Sequence, residues 1–187
     1  MRMAKYGKDY YRGQVAAVQH HFYITGAIGE ADEYIDLIDC LYSGKQGDSV
    51  VIHLNTPGGH LDTTMQIINA IRASECEVIG LADGPVCSAG TLILFACPNI
   101  GVQDFSYLML HDGSEGVMGK INENLKQAQF TAKLLEKICL DVYQPFFTKK
   151  EIQSILDGKD MWLTSEEVNL RIVKAVKEEN EKEPIQK

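Results

Sequence analysis

Residues 49–82 read SVVIHLNTPGGHLDTTMQIINAIRASECEVIGLA, and the order of patterns in this stretch sets the fold class. The first seven residues, SVVIHLN, form a short and almost continuous apolar run, as expected of a strand buried on both faces of a parallel sheet. Thr56-Pro57-Gly58-Gly59 breaks the run. Leu61, Met65, Ile68 and Ile71 then recur at helical spacing, and EVIGLA at 77–82 is a second strand. A strand, a helix and a strand at this spacing make a βαβ unit, so the class is α/β.

Working outward, residues 15–25 predict a strand closed by Gly26 and Gly29, and residues 30–43 predict a helix stopped by Gly44. On the other side, Asp83-Gly84-Pro85 reads as a break before Ser88. Residues 89–96 predict a buried helix, and 100–103 and 107–111 predict short strands. Gly113, Gly116 and Gly119 lead into a long helix over 120–143. Thr148 with Glu151, and Thr164 with Glu167, have capping-box spacing for two further helices. The expected plan is a flexible arm at 1–14, one compact unit at 15–176 and a polar tail at 177–187.

Composition narrows the function classes. The chain has 187 residues, 45% hydrophobic and 24% charged, which is ordinary globular usage. Its net charge of −8 and lack of a dense basic patch argue against nucleic acid as a partner. The longest apolar stretch, 89–97, is far short of the roughly 18 residues a membrane span needs, and the first residues have no apolar core of a secretory leader. Five cysteines, odd in number and without a CxxC pair, suit neither a disulfide framework nor a zinc knuckle. A cytoplasmic protein with no metal and no cofactor is the expectation.

Four segments hold candidate chemistry. Ser88, in Gly84-Pro85-Val86-Cys87-Ser88-Ala89-Gly90, lies between a strand and a helix. Its hydroxyl there could cap the helix, or act as a nucleophile where free amides and the helix dipole favour negative charge. The amide of Ala89 could face an oxyanion. Thr56-Pro57-Gly58-Gly59-His60 is either an ordinary turn or a loop whose glycines let backbone approach a ligand. His111 ends an apolar strand beside a flexible loop, as a general base or a surface histidine. Asp160 precedes a short apolar strand and could orient a histidine, with Asp157, Asp112 and Asp104 as rivals. His20, His21 and His53 lie within strand-like runs and read as structural. Cys87 and Cys97 sit in apolar surroundings and read as packing.

Taken together, residues 22–176 resemble the proteolytic subunit of the Clp protease, ClpP. That family shows Asn-Ser-Pro-Gly-Gly, and this chain has Asn55-Thr56-Pro57-Gly58-Gly59. It shows Gly-x-x-x-Ser-x-Gly, matched by Gly84 to Gly90 around Ser88. It shows Met-x-His, matched by Met109-Leu110-His111. It shows Arg-Asp, a hydrophobic pair and Ser-x-x-Glu, similar to Lys159-Asp160-Met161-Trp162-Leu163-Thr164-Ser165-Glu166-Glu167.

The resemblance implies a spiral of βαβ units of the ClpP/crotonase type with a protruding helical handle. It implies a serine endopeptidase, with Ser88 as nucleophile, His111 as base, Asp160 as orienting acid and the amides of Gly59 and Ala89 as oxyanion hole. Gly58, His60, Asp112 and Gly113 would hold a peptide or unfolded-protein substrate. It further implies two stacked rings of seven, interdigitating through the long helix, with unfolding supplied by a separate AAA+ ATPase, since this sequence has no P-loop. The departures are those of a divergent relative of the kind carried by phages or plasmids. Val51 and His53 stand where the family presents aromatic anchors for its ATPase. Leu170-Arg171 replaces Tyr-Gly, Asp112-Gly113 replaces Gln-Pro, and Lys159 replaces Arg.

Rival readings are a crotonase-like acyl-CoA enzyme, a Ser-Lys peptidase, a phage head-maturation protease and a catalytically silent ring subunit. The Ser88–His111 pairing speaks against the first. The absence of lysine between Lys45 and Lys120 speaks against the second.

Overall fold

The structure is a computed structural model that describes residues 17–114, 116 and 118–182; the expected arm at 1–14 lies outside them. Strand β1 (Gln19–Thr25) is followed by a short 3-10 turn and helix α1 (Ile35–Ser43). Then come β2 (Ser49–Thr56), α2 (Leu61–Ala73), β3 (Glu77–Cys87), α3 (Ala89–Ala96), β4 (Asn99–Val102) and β5 (Tyr107–Leu110). Helices α4 (Ile121–Tyr143) and α5 (Lys149–Leu156), strand β6 (Met161–Thr164) and helix α6 (Ser165–Lys182) complete the chain. The α/β class holds, and the expected polar tail from Lys177 continues as helix to Lys182.

One sheet runs β1-β2-β3-β5-β6, with β4 also on β3. All pairs are parallel except β5 with β6. The apolar run of β2 is buried as its composition requires: Val50, Ile52 and Leu54 have no exposed surface. Helix α2 lays Ile67, Ile68, Ala70 and Ile71 over that face. It also buries Thr63 and Thr64, whose hydroxyls donate to the carbonyls of Gly29 and His60 at 2.8 Å, so neither is left unsatisfied.

The expected break at Asp83-Gly84-Pro85 is instead part of β3. Its pairing with β2 shifts between Leu54 and Thr56. Residues 79–82 pair with β4, whereas Val86 and Cys87 pair with β5. The turn-like residues thus mark an irregularity where the strand changes neighbour, one of the few sheet positions that tolerate proline. This change of neighbour carries Ser88 to the end of β5 rather than β4.

Helix α4 buries Leu135, Cys139, Val142 and Tyr143, all in its C-terminal half. Ile121, Leu125 and Phe130 in its first half are 85%, 56% and 68% exposed, so that half projects from the body as a handle. No helix of the described residues is long and apolar enough to cross a membrane.

Candidate active site

Ser88 occupies the single-residue hinge between β3 and α3. With φ 52° and ψ −126° it is the one non-glycine with positive φ among the described residues. Such backbone costs on the order of 1–2 kcal/mol and persists only where surrounding bonds enforce it. Here the Ser88 amide donates to the Met109 carbonyl at 2.8 Å, and the Thr91 amide donates to the Ser88 carbonyl at 2.9 Å. The Thr91 hydroxyl donates to that same carbonyl at 2.6 Å. The Ser88 side chain makes no cap bond to the helix, so the N-cap reading fails and the hydroxyl remains for other work.

The Pro-Gly-Gly turn packs directly on this hinge. At Gly58, φ is 97°, and a Cβ would lie 2.6 Å from the Ser88 Cβ and 2.9 Å from the Cys87 carbonyl. Only glycine fits. Gly58 donates to the Thr56 hydroxyl at 3.0 Å. The Gly58 carbonyl and the His60 amide both bond Ile28, each at 2.9 Å, and a Cβ on Gly59 would collide with the Ile28 backbone. That pairing uses the groups on either side of Gly59, which turns the Gly59 amide away from Ile28. The amide of Ala89 opens α3 and has no partner within the helix, at the positive end of its dipole.

His111 is half-buried one residue beyond β5, and Asp160 is exposed one residue before β6. The antiparallel register ends at Leu110 with Met161, so His111 and Asp160 are next in step on neighbouring strands. Ser88, bonded to Met109, stands on the other side of β5. The three residues therefore share one end of the sheet. Among the described residues no hydrogen bond joins their side chains.

The remaining expected site residues are more scattered. His60 starts α2 but turns its Nδ1 toward Glu30 Oε1 at 3.6 Å. Asp112 accepts from the Gly113 amide at 2.7 Å, and a Cβ on Gly113 would lie 3.0 Å from Leu135 of α4. The chain leaving His111 thus starts along the base of the handle; the glycine-rich segment beyond it is only partly within the described residues.

Cys87, beside the hinge, has its thiol pushed up by burial, against a lowering by a backbone hydrogen bond with Met109. Cys97 is pushed up by burial to about 12. Neither is an available thiolate near neutral pH, in line with the packing role read from their surroundings.

Several contributors had no signature in sequence. Thr91 and Tyr143, 52 residues apart, bring their hydroxyls within 2.6 Å. On the opposite, open face of the sheet, His53 Nδ1 donates to Asp83 at 2.6 Å, and its Nε2 lies 2.9 Å from His21 Nδ1. Tyr23 stacks on His53 at 4.4 Å and is 67% exposed, whereas Val51 is buried. The face read as lacking aromatics at 51 and 53 thus carries one from β1.

Comparison with known proteins places the chain in a family. The family model for Clp protease matches residues 19–178. "ATP-dependent Clp protease proteolytic subunit 2" of Pseudomonas aeruginosa is 28% identical over 148 residues, 69% of this chain and 73% of that protein. "ATP-dependent Clp protease proteolytic subunit 3" of Rhizobium etli is 29% identical over 136 residues, 63% of this chain and 67% of that protein. With most of its length matched by the family model, the chain belongs to the Clp protease family.

Proposed function

We propose that this Clp-family protein is a serine endopeptidase that cleaves peptide bonds through an acyl-enzyme. The observation that carries the reading is the Ser88 hinge. It is a strained serine whose hydroxyl caps nothing, set against a glycine turn and a helix start, with His111 and Asp160 at the same sheet end. In the reaction, Ser88 Oγ attacks the scissile carbonyl while His111 takes its proton. Asp160 holds the imidazole in orientation and stabilises its charged form. The amides of Gly59 and Ala89 receive the oxyanion. Collapse expels the amine, protonated by His111, and water then releases the acyl group by the same steps. The three side chains are not yet hydrogen-bonded to one another, and such contacts commonly tighten when substrate or partner arrives.

The assembly proposed is two stacked rings of seven, joined through the exposed half of α4, acting in the cytoplasm on unfolded chains delivered by an AAA+ ATPase. The apolar residues Ile121, Leu125 and Phe130 support burial of the handle against other subunits. The second reading, a silent ring subunit, draws on the exposure of Asp160. Hydrolysis of a short fluorogenic peptide separates them. Wild type cleaves, Ser88→Ala loses on the order of a million-fold in kcat, and Asp160→Asn loses about ten-thousand-fold. An inert wild type, or an equally active Ser88→Ala, contradicts the proposal.

A further inference from the structure

We infer that Thr91 and Tyr143 are positioning residues that lock the Ser88–Ala89 peptide so that the Ala89 amide faces the reacting carbonyl. The inference rests on the peptidase reading above. Its physical basis is the planarity of a peptide bond: in a trans unit the C=O of one residue and the N–H of the next point in opposite directions. Fixing the Ser88 carbonyl therefore fixes the Ala89 N–H.

That carbonyl is held on one side by two donors from the same residue, the amide of Thr91 at 2.9 Å and its hydroxyl at 2.6 Å. Proton bookkeeping gives the rest of the chain a direction. A carbonyl cannot donate, so the single Thr91 proton goes to Ser88. The Tyr143 hydroxyl, 2.6 Å from Thr91 Oγ1, must then donate to Thr91. Thr91 and Tyr143 are buried and Ser88 is half-buried, and successive hydrogen bonds in such a setting polarise and strengthen one another. Tyr143 is itself held: Phe95 packs edge-on at 5.8 Å and Phe147 at 5.6 Å. A residue on the last turn of the handle helix thereby reaches the oxyanion amide through one intermediary. A rotated Ser88–Ala89 peptide would present a carbonyl where an anion forms, and the lock opposes that rotation.

The test uses the full chain and four proteins: wild type, Thr91→Val, Thr91→Ser and Tyr143→Phe. Valine keeps the volume and removes the hydroxyl. Because the oxyanion exists only in the transition state, misorienting its donor lowers kcat and leaves KM alone. Loss of a whole donor costs about a hundred- to a thousand-fold, so Thr91→Val is expected to lose roughly ten- to a hundred-fold in kcat. Its KM should stay within about twofold of wild type, Thr91→Ser should restore most of the rate, and Tyr143→Phe should fall between. A loss seen in KM rather than kcat, or a Thr91→Val kcat within about twofold of wild type, overturns the inference. Hydrogen–deuterium exchange over residues 86–94 reads the lock without any activity: it should quicken in Thr91→Val and recover in Thr91→Ser. Unchanged exchange overturns the lock, whereas a wild type that cleaves nothing yet shows the exchange pattern overturns only the peptidase reading.

Discussion

Gly58 and Ser88 are fitted closely to each other at the site. A methyl group on Gly58 would meet the Ser88 Cβ at 2.6 Å from a backbone already at φ 97°, so both space and conformation resist it. Gly58→Ala should therefore act on chemistry as well as on stability. We expect a destabilisation of about 1–3 kcal/mol by thermal unfolding. We also expect a loss of kcat on the order of a hundred-fold, because displacing a nucleophile by an ångström is that costly. An alanine variant with wild-type turnover would show that the hinge is not held by the turn. The same pair marks what sequence can and cannot convey at this scale. The Pro-Gly-Gly pattern announces a turn needing glycine, but nothing in Cys87-Ser88-Ala89 distinguishes a cap from a strained hinge. That distinction lies in a dihedral angle enforced by bonds to Met109 and from Thr91, which no pattern in the chain announces.

At the scale of elements, Arg171 explains one departure from the family pattern. Its guanidinium reaches Glu151 Oε1 at 2.7 Å, donates to the Phe146 carbonyl at 3.3 Å and lies over the Phe147 ring at 4.7 Å. It thus ties α6 to α5 and to the segment that follows α4. The Arg171 hydrogen bond, aided by those from Thr148 and opposed by burial, holds the Glu151 carboxyl down at about 2. A carboxyl depressed in the folded state stabilises fully above its unfolded pKa, and that stability is lost as pH falls through the folded value. Glu151→Gln keeps the capping box and removes the charge. It should lower stability by about 1–3 kcal/mol at pH 7, and the gap to wild type should shrink between about pH 4.5 and 2. Urea unfolding at several pH values reads this; a gap that stays constant down to pH 2 contradicts it. Most elements were legible because apolar spacing is strong in β2, α2 and α3 and the capping boxes are explicit. Asp83-Gly84-Pro85 was misread because turn residues also serve where a strand changes partner. The helix past Lys177 was missed because a charged run is compatible with a solvated helix as well as with a tail.

At the scale of the molecule, the handle and the site are one design problem. Half of α4 stands away from the body with exposed apolar residues, while its last turn, through Tyr143, touches the residue that clamps Ser88. The open sheet face carries the paired His21, His53 and Asp83 with Tyr23, a polar and partly aromatic surface in place of the two aromatic anchors of the family. A protease whose sequence announces no specificity pocket needs its sites enclosed, so the proposed activity should belong to the assembled form. The most direct measurement is labelling by a fluorophosphonate, which reacts with serine only where a base and an oxyanion hole activate it. The protein is first fractionated by sedimentation, and the labelled residue is mapped by mass spectrometry. The account predicts one adduct per chain, on Ser88, in the assembled fraction, and none in Ser88→Ala. An assembled wild type that takes no label, or takes it on another residue, would contradict it.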